Sequence, residues 1–155
     1  MRVTQYTDFS LRVLIYLGVA GDQLSTIQEI SDSYGISRNH LMKVVQQLAR
    51  EGYVESIRGQ GGGLRLKRPP DEIRLGQLIR DMEPDLGLVE CFRPGNQCVI
   101  TPICTLPNML NNALMAFICE LDEYSLGDLL TDNVKPDLAQ LLNVEKITDV
   151  NLSNG

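Results

Sequence analysis

Three cysteines crowd one short stretch, Cys91-x6-Cys98-x5-Cys104. The segment that carries them, residues 85–105, is rich in Pro, Gly and Cys and reads as a loop. Thiolates are soft donors, so such a group can bind metal or do thiol redox chemistry. Zinc sites usually show a Cys-x2–4-Cys knuckle, and none is present. Longer, uneven spacing suits an iron–sulfur cluster, which is larger than one ion and takes ligands around its corners. Zinc and bare-thiol sensing stay open beside it. Three thiolates leave a fourth position for another donor, such as a carboxylate. Cys119, between Ile118 and Leu121 on a predicted helix, reads instead as a buried structural cysteine. No catalytic set is visible. There is one histidine, no G-x-S-x-G, and no Gly-Lys-Ser/Thr phosphate loop, so the chain is not expected to be an enzyme.

The elements that must position this chemistry begin at Ser25 and run to Arg68. Thr26-x-x-Glu29 is a capping box, and Ile27 and Ile30 give the turn after it an apolar face. Gly35 ends that helix, because glycine adopts positive φ without strain. Ser37 caps a second helix, about Arg38 to Glu51, closed by Gly52. Leu41, Val44, Val45 and Leu48 share one face of it. Arg38, Asn39, His40, Lys43, Gln46, Gln47 and Arg50 take the other. Two helices joined by a Gly-containing turn form a helix-turn-helix, whose second helix enters the major groove. Arg, Lys, Asn and Gln read base edges there, and Ser and Asn also hold phosphates. A strand from Tyr53 to Arg58, the loop Gly59-Gln60-Gly61-Gly62-Gly63 and a return strand from Leu64 to Lys67 make a wing. Its bare backbone can approach a phosphate or the minor groove, flanked by Arg58, Arg65, Lys67 and Arg68. The expected DNA contacts are Ser37, Arg38, Asn39, His40 and Lys43 on the helix. On the wing they are Arg58, Gly59, Gln60, Gly61, Gly62 and Gly63.

The net charge of −6 conceals a division. Residues 1–68 hold nine Lys/Arg against six Asp/Glu, a balance of +3, whereas residues 69–155 hold five against fourteen, a balance of −9. The basic half is the candidate DNA face, and the acidic half faces away from phosphate. Leu11 to Ala20 is apolar but too short to span a bilayer and is interrupted by Arg12. It reads as a first helix, about Thr7 to Ala20, capped by Thr7, with Leu11, Leu14, Ile15 and Gly18 packed on the helix-turn-helix. A cytoplasmic chain with no membrane partner is expected, and its cysteines are then not structural disulfides.

Pro69-Pro70 makes a stiff joint, followed by a short helix from Leu75 to Glu83 with Leu75, Leu78, Ile79 and Met82 inward. The longest helix, Leu106 to Tyr124, carries an apolar stripe of Leu106, Leu110, Ala113, Leu114, Phe117, Ile118 and Leu121. So wide a stripe in a small chain is expected to meet its copy in a homodimer. Paired helix-turn-helices read half-sites about 34 Å apart. The expected fold is mostly α with a small β-hairpin wing, a winged helix-turn-helix plus a long dimerisation helix. Its expected parts are the DNA-binding domain 1–68, a linker helix and cluster loop 69–105, the dimerisation helix with short C-terminal helices 106–142, and a frayed tail 143–155.

The run Met-x-x-Thr-x-Tyr-x-Asp-Phe-x-Leu-Arg, the helix-turn-helix, Arg58-Gly59-Gln60-Gly61-Gly62-Gly63 and the three-cysteine loop together resemble a family of bacterial winged-helix regulators that sense through iron–sulfur clusters. The resemblance covers roughly residues 1–125. It is strongest to the nitric-oxide-sensitive repressors of that family. A sister group carries a histidine three residues after its last cysteine, where this chain has Pro107. The resemblance implies a cluster held by Cys91, Cys98 and Cys104 of one chain and Asp8 of its partner. From the residues alone, Asp8 is a first-turn carboxylate that favours the helix dipole and pairs with Arg12. A [4Fe-4S] cluster is expected, with [2Fe-2S] as the alternative. The implied function is a repressor of operator DNA that lets go when nitric oxide reaches the cluster. The alternative is a winged-helix regulator sensing iron–sulfur status, redox or zinc through the same cysteines.

Overall fold

The computed structural model describes residues 2–144. Among them the order is α1 (Gln5–Ala20), α2 (Ile27–Tyr34), α3 (Arg38–Arg50), β1 (Val54–Ile57), β2 (Gly63–Leu66), α4 (Leu75–Met82), α5 (Leu106–Asp122) and α6 (Lys135–Leu141). This is the mostly helical fold with a hairpin wing that the pattern predicts. Of the expected frayed tail, residues 145–155 lie outside the described residues. Val144 packs against the core, and its amide donates to the Ala139 carbonyl at 2.9 Å.

The first helix starts earlier than expected. Its cap is Thr4, whose hydroxyl oxygen accepts from the Thr7 amide at 3.3 Å. Thr7 is not a cap but a fully buried residue inside the first turn. The reason lies at the end of α4. The Glu83 carboxylate accepts from the Thr4 amide at 2.7 Å, the Thr4 hydroxyl at 2.9 Å and the Thr7 hydroxyl at 2.5 Å. A negative group at a helix N-terminus also suits the helix dipole.

The buried stripe of α1 is also displaced from expectation. Val13, Leu14 and Leu17 are fully buried, while Leu11 and Ile15 only flank the core. They meet Ile30 of α2, Leu41, Val44 and Leu48 of α3, and Val54 and Leu64 of the hairpin. Each such side chain contributes about 1.5–3 kcal/mol by leaving water. The same core takes Ile73, Leu78, Met82, Leu126, Ala139 and Leu142. The helix-turn-helix is thus completed by chain that follows it by many residues. Ser33 of α2 sits within hydrogen-bonding distance of two carbonyls, Glu29 at 2.9 Å and Leu142 at 2.6 Å, the second beyond the end of α6.

Thr26 and Glu29 form the expected capping box, and Gly35 takes φ +64° at the turn. The hairpin pairs Val54 with Leu66 and Ile57 with Gly63. It is fastened to the segment before α2 by two bonds between Ser25 and Leu64, at 2.7 and 3.0 Å. Helices α4 and α5 cross closely because Gly76 leaves room: a Cβ there would collide with the Ile118 carbonyl and the Asp122 carboxylate. Arg80 and Asp122 close the same crossing with two bonds, at 2.8 and 3.0 Å. The expected α5 stripe divides. Leu114 and Ile118 pack inward on Ile79, while Leu106, Met109, Met115 and Phe117 stay exposed. Cys119 is exposed, not buried, because it falls on the outer side of this division.

Two stability measurements follow. Glu83→Ala leaves the buried Thr7 hydroxyl without its acceptor and is expected to lower unfolding free energy by about 2 kcal/mol in denaturant titration; an unchanged midpoint refutes the three-donor junction. Burial pushes the Tyr34 phenol up to about 12 from 10.0. Burial and then the Asp81 carboxylate, 2.5 Å from the Tyr53 hydroxyl that donates to it, raise Tyr53 further. Both groups hold their protons more tightly in the folded state. Their contribution is complete below the unfolded tyrosine pKa and is lost as pH rises through the folded values. Unfolding free energy should therefore drop as pH climbs from about 10 to about 12, with Tyr53→Phe flattening the drop.

Candidate nucleic-acid interface and cysteine loop

Helix α3 presents its two faces as the pattern requires. Leu41, Val44, Val45 and Leu48 are buried. Ser37, Arg38, Asn39, His40, Lys43, Gln46 and Arg50 are exposed. Ser37 stands at the N-cap position, but its side chain makes no capping bond. Gln47 departs from the expected outer face: it is half-buried, and its amide donates to Glu51 at 2.8 Å.

On the wing, Arg58, Gly59, Gln60 and Gly61 are exposed, while Gly62 and Gly63 are half-buried. Gly62 donates to the Gly59 carbonyl at 3.1 Å, closing the loop on itself. The four flanking cations do different jobs. Arg65 pairs with Glu55 across the hairpin at 2.6 Å. Arg68 donates to the carbonyls of Gly52 and Glu51 at 2.9 and 2.7 Å and lies over the Tyr53 ring at 4.6 Å. It closes the C-terminal end of α3, where a cation is favourable. Arg58 and Lys67 remain exposed and suited to phosphate.

Asp8 lies in the first turn of α1 and pairs with Arg12 at 2.9 Å. Arg12 in turn lies 5.8 Å from the centre of the Tyr34 ring. These groups, with Arg2, Ser37 and His40, line an open concavity of about 640 Å³ beside the helix-turn-helix. The same first turn touches the recognition helix. The Tyr6 hydroxyl donates to the Lys43 carbonyl at 2.9 Å, and the Phe9 ring stands 6.2 Å from that of His40. Neither contact is signalled by the sequence pattern, because both join residues far apart in the chain.

The cysteine loop is shaped by local bonds. Arg93 pairs with Asp85 at 2.8 Å, the Gln97 amide donates to Glu90 at 2.7 Å, and the Thr101 hydroxyl donates to Asn96 at 2.8 Å. Phe92, next to Cys91, anchors the loop on Ile79, Leu114 and Ile118. All three cysteines are free thiols, Cys91 and Cys104 half-buried and Cys98 exposed. Among the described residues, no three His, Cys, Asp or Glu side chains converge as a metal-ligand group within the chain. Cys91, Cys98 and Cys104 are thus not drawn together into a ligand group in the chain, and Asp8 does not join them. The donor set itself, three uncommitted soft thiols in one loop, suits an iron–sulfur cluster.

Residues 3–132 match the Rrf2 family, described as an iron-dependent transcriptional regulator. The chain belongs to the Rrf2 family. Its Rrf2 relatives include the HTH-type transcriptional regulator NsrR of Bacillus subtilis (strain 168), 47% identical over 148 residues that span 94% of this chain and 100% of that one. The regulator of the same name from Bacillus licheniformis is 50% identical over 132 residues, covering 84% and 92% of the two chains. The solved structure of IscR from T. potens shares the fold at TM-score 0.68 and 22% identity, covering 86% of this chain and 88% of that one. The Rrf2 relatives are transcriptional regulators, and a regulator of this family binds DNA. No helix among the described residues is long and apolar enough to cross a membrane.

The two neighbouring cations Lys67 and Arg68 are expected to separate on mutation. Lys67→Ala weakens binding to all duplexes alike and lowers the salt slope of log K by about 1. Arg68→Ala lowers unfolding free energy by about 1–2 kcal/mol through its lost carbonyl bonds. Fluorescence anisotropy at several salt concentrations, beside denaturant titration, reads both; exchanged effects refute the assignment.

Proposed function

We propose that this Rrf2 chain is a homodimeric repressor that senses nitric oxide through an iron–sulfur cluster and releases its operator DNA in response. Cys91, Cys98 and Cys104 of one subunit and Asp8 of the other hold the cluster, of the [4Fe-4S] type. The observation that carries the reading is the first turn of α1. It bears Asp8, and the same turn grips the recognition helix through Tyr6 and Phe9.

A carboxylate is a harder and weaker partner for iron than a thiolate, so a bound cluster supplies one exchangeable iron open to a small ligand such as nitric oxide. The chain's own residues do the rest. Arg12 lies 2.9 Å from Asp8 and competes for its carboxylate. Asp8 held by the other subunit and Asp8 held by Arg12 are two arrangements of the turn that supports α3. The exposed apolar side chains of α5, Leu106, Met109, Met115 and Phe117, supply the surface for pairing. Ser37, Arg38, Asn39, His40 and Lys43 face the major groove, while Arg58 and Gln60 with the wing glycines face backbone or minor groove. Two reading heads moved apart by a few ångströms no longer fit both half-sites at about 34 Å. A switch of this kind needs a difference in DNA affinity between its two states.

The test is an anaerobic titration with nitric oxide, with iron, sulfide and DNA binding assayed on one sample. Near four irons per chain and a loss of DNA affinity of about tenfold or more on nitric oxide are expected. Affinity unmoved by nitric oxide overturns the signal. A protein that takes up no iron and sulfide on reconstitution overturns the cofactor.

A further inference from the structure

The outward face of α3 carries one side chain of the wrong kind for water. Met42 is large, apolar and 51% exposed. No other large apolar side chain of α2 or α3 is exposed among the described residues. A single exposed hydrophobe is ordinary on a protein surface. This one stands out for where it lies. It follows Asn39 by three positions and precedes Gln46 by four, so the three share a face, with Lys43 beside them. That face is the one the proposed function turns toward the major groove, and the inference rests on that reading.

Base edges in the major groove offer donors, acceptors and one apolar group, the C5-methyl of thymine. Asn and Gln satisfy adenine, and Lys suits guanine or phosphate. None of these meets a methyl group. Methionine does, being unbranched, polarizable and able to adjust its three rotatable bonds to a shallow target. We propose that Met42 is a specificity-determining residue that reads the methyl group of a thymine in each half-site. Asn39 and Gln46 on the same face then favour A·T pairs beside it. Buried against DNA, Met42 loses the exposure that costs it in the free protein, so its contribution appears only in the complex.

The full-length chain, purified anaerobically, is first used to select duplexes from a random library. In the selected duplex each thymine is then replaced in turn by deoxyuridine, which removes the methyl and nothing else. One position per half-site should weaken wild-type binding by about fourfold, the value of one methyl group leaving water. Met42→Ala and Met42→Gln should bind the thymine duplex more weakly and be indifferent to uridine at that position, with unchanged melting temperatures. The inference is overturned if no uridine weakens the wild type, or if both variants keep the same uridine penalty. A library that yields no enriched duplex removes the DNA-binding reading and the inference with it, a result distinct from a selected duplex without methyl dependence.

Discussion

One carboxylate joins three parts of the chain. Glu83 ends α4, begins the approach to the cysteine loop, and receives the amide and hydroxyl of Thr4 and the hydroxyl of Thr7. Thr7 is fully buried, so its hydroxyl has no water to fall back on. Asp8 follows Thr7 directly, and its direction is set by the turn that Glu83 holds. The junction adds polar bonds to the apolar packing of α4 on α1 through Leu78 and Met82.

Helix α1 is consequently the mechanical centre. Its first turn bonds to α4 on one side and to the carbonyl of Lys43 on the other. Its later turns, through Val13, Leu14 and Leu17, fill the core shared by the helix-turn-helix and the C-terminal segment. Charge follows the same division of labour. The basic excess lies with residues 1–68 and the acidic excess with the rest. Arg65 and Arg68 belong to the folding of the wing, while Arg58 and Lys67 stay exposed.

What was legible in the sequence is what is decided locally. The Thr26–Glu29 capping box, the turn at Gly35 and the apolar face of α3 depend on neighbours within four residues, and each stands where the pattern places it. The start of α1 was not legible, because Thr4 and Thr7 are both good caps and the choice falls to a carboxylate 79 positions away. Gln47 is the local exception: the pattern puts it on the outer face, yet it is half-buried, with its amide donating to Glu51 only four residues on. Cys119 looked buried because its neighbours are apolar; only the way α5 leans on α4 decides which side of a broad stripe is covered. The cysteines announce soft-donor chemistry by type and spacing. The path of the loop between them has no periodicity to read, and its bonds to Asp85, Glu90 and Asn96 emerge only in three dimensions.

The bond between the Ser33 hydroxyl and the Leu142 carbonyl spans 109 positions and ties α2 to the chain beyond α6. Synthesis runs from the N-terminus, so α2 and α3 are made long before Leu126, Ala139 and Leu142 arrive to seal the core beneath them. A growing chain therefore carries α2 and α3 on an unfinished support. The same holds for a chain cut short by a premature stop. Without that late segment, Val13, Leu14, Leu17 and Ile30 lack part of the apolar cover they share with it, so the helix-turn-helix owes its packing to chain made well after it.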